Sequence, residues 1–223
     1  MLWFDKEHCV DKCILHPFGS MIYHTQIQPE FLGLLQNTAK ESKDNGKDRG
    51  NTLAGNIASQ RQAVVDVEQF MDLLYPHVLH YARTCYNRLE TNLTGKPSNP
   101  VPNIKLHLGD GPWINYQKQG EFNPVHAHGG ILSAVVMIDV PEVIATEADN
   151  LDYQTNMPCP GQLEFINGPT GWLETGTFRV VPKTGDIYLF PADLKHCVYP
   201  FTSDVERVTM SFNVFDIEKV YDE

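Results

Sequence analysis

Apolar residues in the first part of the chain recur at helical spacing, and those in the second part come in short runs broken by glycine and proline. From Gln28 to about Lys43, Phe31, Leu34, Leu35 and Ala39 fall on one helical face, with Pro29 tolerated in the first turn. Asn45 to Asn56 carries glycine, asparagine and aspartate with little apolar content, which predicts a loop able to lie over a site. A second, longer stripe of Val64, Val67, Phe70, Met71, Leu74, Val78, Tyr81 and Cys85 predicts a helix from about Ser59 to Asn92, bent at Pro76 and packed on a sheet. After the break at Thr94 to Pro102 the pattern predicts strands near 104–108, 113–116, 122–126, 132–140, 162–166, 177–181, 186–190, 196–200 and 207–215.

Strands that follow one another without helices between them indicate an antiparallel sandwich or barrel rather than a parallel α/β sheet. The expected organisation is one domain over 1–223: a helical support and N-terminal segment to residue 99, then a β core over 100–215 with an acidic inserted loop at about 142–160. A chain of 223 residues can bury a core of that size without staples. The net charge of −11 and the lack of a Lys/Arg cluster argue against nucleic acid and anionic membranes as partners, leaving a small-molecule or protein substrate. The longest apolar run, Leu132 to Val140, falls short of a membrane span, and Asp5, Lys6 and Glu7 stand where a signal peptide would be apolar, so a cytoplasmic location in the producing or host cell is expected. Five cysteines without framework spacing suit a reducing compartment. His8, Cys9, Cys13 and His16 form a compact set of soft ligands, but structural zinc sites usually draw ligand pairs from separated stretches. His77 and His80, three apart on the second helix, lack a third ligand at useful spacing.

The chemistry concentrates in His126-Ala127-His128 and His196. Histidines at i and i+2 on a strand share a face, and imidazole suits iron, zinc, copper or nickel. Three histidines from two strands would leave coordination positions open, as a catalytic metal centre requires. Arg207 lies eleven residues beyond His196; on a neighbouring strand its guanidinium can take a carboxylate bidentately, and Thr209 on the same face adds a hydroxyl. Strand alternation turns Cys197 away from any metal bound by His196.

The ordered set Trp113-Ile-Asn115, Phe122-Asn123-Pro124-Val-His126-Ala-His128, Leu132-Ser133-Ala-Val, Gly161-Gln-Leu163-Glu-Phe165, Leu189-Phe190-Pro191 leading to His196, and Arg207-Val-Thr209-Met-Ser211-Phe212-Asn213 resembles the iron(II)- and 2-oxoglutarate-dependent oxygenases of marine phages and bacteria, relatives of prolyl hydroxylases. The resemblance implies a mainly β fold with N-terminal helices, a double-stranded β-helix (jelly roll), with Fe(II), 2-oxoglutarate as co-substrate and O2. It implies His126, His128 and His196 as metal ligands and Arg207 on the distal carboxylate of 2-oxoglutarate, whose decarboxylation to succinate accompanies hydroxylation of a substrate, a prolyl residue by the nearest analogy. Asn115 and Tyr116 become candidate donors to 2-oxoglutarate, and Ser133 and Asn213 candidate pocket residues.

One departure stands out, because the wider superfamily carries His-x-Asp or His-x-Glu where this chain has His126-Ala127-His128. Either His128 replaces the carboxylate, or the register starts at His128 and Gly130 leaves the position to water or halide. The first is preferred because Gly129-Gly130 reads as a turn. A cupin-type metalloenzyme without 2-oxoglutarate is an alternative, weakened by the absence of a Glu shortly after the second histidine. A non-enzymatic jelly-roll binding or virion module is another.

Overall fold

The nine runs of the second half become strands that the chain deals to two facing antiparallel sheets. The computed structural model describes residues 19–96, 103–149, 155–168, 171–172 and 175–220. His8, Cys9, Cys13 and His16 lie outside the described residues. After β1 (Tyr23–Gln26), α1 (Pro29–Asn45), β2 (Ser59–Gln62), α2 (Val67–Thr94) and β3 (Asn103–Leu108) come β4 (Trp113–Gln117), β5 (Asn123–His126), β6 (Leu132–Asp139), α3 (Glu142–Thr146), β7 (Leu163–Ile166), β8 (Thr177–Val180), β9 (Asp186–Pro191), β10 (Lys195–Val198) and β11 (Arg207–Val220). The larger sheet runs β1-β9-β6-β11-β4-β2, with β3 also paired to β11, and the smaller runs β5-β10-β7-β8. From β4 to β11 the chain passes back and forth between the sheets, which is the winding of a jelly roll.

The larger sheet is covered on both faces. Outward, Ile114, Val136, Ile187, Leu189, Met210 and Phe212 pack under the helices, which contribute Phe31 and Leu35 from α1 and Phe70, Leu74 and Val78 from α2. Phe70 meets Phe212 edge-on, ring centres 5.6 Å apart. Inward, Met137, Tyr188 and Phe190 meet Leu163 and Phe165 of the smaller sheet. A sheet buried on both sides reads as a continuous apolar run, which is why Leu132 to Val140 shows no clean alternation.

The sequence reading of α2 began too early. Asp66 caps the helix by accepting from the Gln69 amide (3.1 Å), so the helix starts at Val67, and Ser59–Gln62 forms strand β2 against β4. Val64 and Val67, read as part of the buried stripe, are 42% and 61% exposed. Pro76 sits inside the helix without ending it, and Gly95 closes it with φ 70°. His77 Nδ1 of this helix is hydrogen-bonded to Tyr23 Oη (3.0 Å). The polar stretch before β2 is a loop with one 3-10 turn at Gly50–Thr52, tied down by bridges from Asp48 to Arg61 and from Asn56 to Phe122. Within the acidic 142–160 stretch, α3 buries Ile144, and Glu147 just beyond it accepts hydrogen bonds from both the backbone and the hydroxyls of Thr202 and Ser203. Among the described residues no helix is long and apolar enough to cross a membrane.

The packing of α2 gives a direct comparison. Truncating the fully buried Phe70 to Ala leaves a cavity under the sheet and should lower unfolding stability by about 3–5 kcal/mol, whereas Val67→Ala should stay within about 0.5 kcal/mol. Urea unfolding of the two variants checks this.

Candidate functional site

Strand pairing brings the first two imidazoles together. His126 of β5 lies directly opposite His196 of β10. Each ring is turned the same way by its own backbone: His126 Nδ1 donates to the Pro124 carbonyl (2.7 Å) and His196 Nδ1 to the Leu194 carbonyl (2.9 Å). A carbonyl can only accept, so each Nδ1 carries the proton and each Nε2 is left with a free lone pair. His128 follows two residues after His126, its backbone amide held by the Ala192 carbonyl (2.8 Å) and its ring beside Trp113 (6.0 Å between centres). Ring centres are 4.3 Å apart for His126 and His196, 4.9 Å for His126 and His128, and 5.1 Å for His128 and His196. One nitrogen from each of the three lies within 4.8 Å of the other two.

Burial keeps two of these rings neutral. It pushes His128 down to about 4, with His126 adding to the fall, and His196 down to about 3, against a smaller opposing effect of its bond to Leu194. Neutral imidazole is the form that binds a metal.

The other end of the same cavity holds a cation. Arg207, first residue of β11, is 2% exposed. Its guanidinium donates to the Gly161 carbonyl and to Gln117 Oε1, both neutral, and its Nε is buried without a partner. No carboxylate among the described residues pairs with it. Burial lowers it to about 10, so it remains charged at neutral pH. Gly161 is at φ 61°, and a Cβ there would come within 2.4 Å of Ile144 and 3.5 Å of Arg207 Nη1, so only glycine allows α3 to close this end of the cavity.

Between the imidazoles and the guanidinium runs a row of polar side chains from adjacent strands. Asn115 of β4 donates to Thr209 Oγ1 (3.2 Å) and Ser211 Oγ (3.4 Å) and accepts from Gln60 Nε2 of β2 (2.9 Å). His126, His128, His196, Arg207, Thr209 and Asn115 thus line one cavity.

Three expected site residues do not line it. Tyr116 follows Asn115 on the strand, so its side chain leaves by the opposite face of the sheet, where its hydroxyl donates to the Ala39 carbonyl and Lys43 lies over its ring. Ser133 and Asn213 are opposite each other on β6 and β11 and hydrogen-bonded together at 2.7 Å, outside the cavity lining. Cys197 faces away from the imidazoles, its thiol 3.9 Å from Glu164 Oε2. Sequence reasoning missed Gln117, Gln60 and Asn123, all of which line the cavity. Gln117 was accessible from alternation, two residues after Asn115 and paired with Arg207. Gln60 was hidden because β2 was read as helix.

The depressed histidines carry a pH dependence. A histidine whose folded pKa lies below its unfolded value of about 6.5 leaves the unfolded state with more bound protons in the window between them, so stability rises with pH there. Metal-free protein should hold its full stability above pH ~6.5 and lose it as pH falls toward the folded values of about 4 and 3. Thermal unfolding in chelator across pH 4 to 7 measures it, and His196→Gln should flatten the slope.

Residues 111–213 match the family described as "Putative 2OG-Fe(II) oxygenase". No curated protein matches the chain. Among solved structures, a prolyl-4-hydroxylase of Pseudomonas putida is similar over 87% of this chain and 91% of its own, with 12% identity and a TM-score of 0.48. A prolyl hydroxylase from Trichoplax adhaerens, solved with a hypoxia inducible factor oxygen degradation domain peptide fragment, covers 89% and 84% with 15% identity and a TM-score of 0.49. SnoK, a non-heme alpha ketoglutarate dependent carbocyclase of nogalamycin biosynthesis, covers 87% and 79% with 14% identity and a TM-score of 0.49. The matched segment, just under half of the chain, holds all three histidines and Arg207.

Proposed function

We propose that His126, His128 and His196 hold the Fe(II), that Arg207 binds the distal carboxylate of 2-oxoglutarate, and that Thr209 and Asn115 flank the co-substrate. The observation that carries this reading is a buried, charged guanidinium, with no acid partner among the described residues, in the same cavity as three converging imidazole nitrogens. The donor set fits the metal: imidazole is a good ligand for Fe(II), and the bonds of His126 and His196 to backbone carbonyls fix tautomer and ring direction. When bound, the iron supplies dioxygen activation, with decarboxylation of 2-oxoglutarate to succinate and hydroxylation of a substrate C–H bond.

The chain's own residues position and shield. Arg207 is held by two neutral acceptors, so its charge stays available to an anion, and burial strengthens that attraction relative to water. Asn115 and Thr209 set hydrogen-bonding groups one row above it. Phe190 packs against the His196 ring (4.8 Å) and helps exclude solvent.

His128 in place of the usual carboxylate gives three neutral ligands, leaving the ion's charge undiminished and favouring an anionic co-substrate. The alternative register, starting at His128, receives no support from Gly130, which has φ 98° and packs against the Val214 carbonyl, and would leave the converging His126 unused. The substrate is a small molecule or a peptide, a prolyl residue being one instance.

Fe(II)-dependent succinate formation from 2-oxoglutarate is the expected activity. His196→Ala should lose both iron binding and turnover. Arg207→Ala should keep its metal and raise the 2-oxoglutarate requirement by ~2 kcal/mol or more, read as KM in the succinate assay. His128→Ala should weaken iron binding by about tenfold or more, and unchanged affinity in both His128→Ala and His128→Asp would remove His128 from the ligand set.

A further inference from the structure

The partner that Arg207 has on β4 is itself held in one orientation. Gln117 is 2% exposed, opposite Arg207 in the strand register and on the same face as Asn115. Its Nε2 donates to the Glu121 carbonyl, four residues on, and its Oε1 accepts from Arg207 Nη2. A carbonyl can only accept, so the NH2 end of the amide has to face Glu121 and the oxygen end the guanidinium. The turn that carries this carbonyl is fixed in its own right. The Glu121 amide donates to the Lys118 carbonyl (3.1 Å), the Gly120 amide donates to the Phe201 carbonyl (2.8 Å), and the Phe201 ring lies against Arg207, 5.9 Å from ring centre to Cζ.

Three acids on the segments around Arg207 are committed elsewhere. Glu121 accepts from the backbone amides of Ala58 (3.0 Å) and Lys118 (2.9 Å), Glu147 from Thr202 and Ser203, and Glu206, the residue before Arg207, from Lys43 Nζ (2.6 Å). Among the described residues no aspartate or glutamate lines the cavity. A glutamate at position 117 would have nearly the same shape as the glutamine but would cancel the charge of Arg207, and a ligand's carboxylate would then meet a like charge out of water. With the amide there, the guanidinium is held in direction yet keeps its full charge. We infer that Gln117 is the positioning residue that makes this end of the cavity select a keto acid with a charged distal arm over one with a neutral arm, by holding Arg207 without neutralising it. The inference rests on the proposed binding of 2-oxoglutarate at Arg207.

The test titrates protein loaded with Zn(II), which has no redox chemistry, with two keto acids in a calorimeter. One is 2-oxoglutarate; the other is 2-oxovalerate, which has the same carbon chain and no distal carboxylate. Wild type should bind 2-oxoglutarate at least about tenfold more tightly than 2-oxovalerate. Gln117→Glu should lose at least about tenfold in 2-oxoglutarate affinity and stay within about twofold for 2-oxovalerate. If this variant keeps the wild-type preference, or weakens both keto acids alike, the inference is overturned. Gln117→Met removes the acceptor without adding charge and should lower the preference at least about threefold by letting the guanidinium turn. Should Gln117→Glu not fold, Gln117→Met decides, and an unchanged preference overturns the inference. A wild type that binds the two keto acids alike would sink the Arg207 assignment and the inference with it, whereas a wild-type preference that survives in Gln117→Glu sinks the inference alone.

Discussion

A guanidinium buried with no carboxylate beside it among the described residues is the constraint on which the rest of this site turns. Taking a charge out of water costs several kcal/mol, and proteins normally offset it with an acid close by. Arg207 instead has a backbone carbonyl and a glutamine oxygen, and its Nε has nothing. Such a group is destabilising in the empty protein and becomes favourable when an anion reaches it. The closed end of the cavity keeps it so: α3 packs Ile144 over Gly161, and Glu147 ties the same segment to Thr202 and Ser203, a few residues before Arg207.

The jelly-roll winding then sets the distance between that guanidinium and the imidazoles. β11 and β4, in the larger sheet, carry Arg207, Thr209 and Asn115, while β5 and β10, in the smaller, carry His126 and His196. Neither sheet alone contains both halves of the chemistry. The core formed by Met137, Leu163, Phe165, Tyr188 and Phe190 holds the sheets face to face and thereby fixes the span between the imidazoles and the guanidinium. The helices contribute by covering the outer face of the larger sheet, where the outward residues of its central strands are apolar.

Much of this was legible in the sequence, and the failures have definite causes. Strand positions from 103 onward could be read because turns at Gly and Pro bound each run, and the convergence of His126, His128 and His196 followed from the i, i+2 rule together with a family resemblance. Strand β2 could not be read: Ser59-Gln-Arg-Gln62 is a polar edge strand that precedes an apolar stripe, and only pairing to β4 makes it a strand. With it went Gln60. Tyr116 was assigned to the site for being next to Asn115, although adjacent strand residues face opposite sides. Ser133 and Asn213 fall on the site face of their strands but bond to each other outside the cavity, and how far a cavity extends along a sheet has no signature in one sequence.

The central claim is that three imidazoles from two parts of the smaller-sheet side and one guanidinium from the larger sheet act on a single ion and a single co-substrate. A crystal structure with Mn(II) and N-oxalylglycine tests it most directly. The account predicts one ion bound by Nε2 of His126 and His196 and by a ring nitrogen of His128, with the far carboxylate of the analogue paired to the Arg207 guanidinium. An ion held by other side chains, or an analogue whose far carboxylate lies away from Arg207, would contradict it.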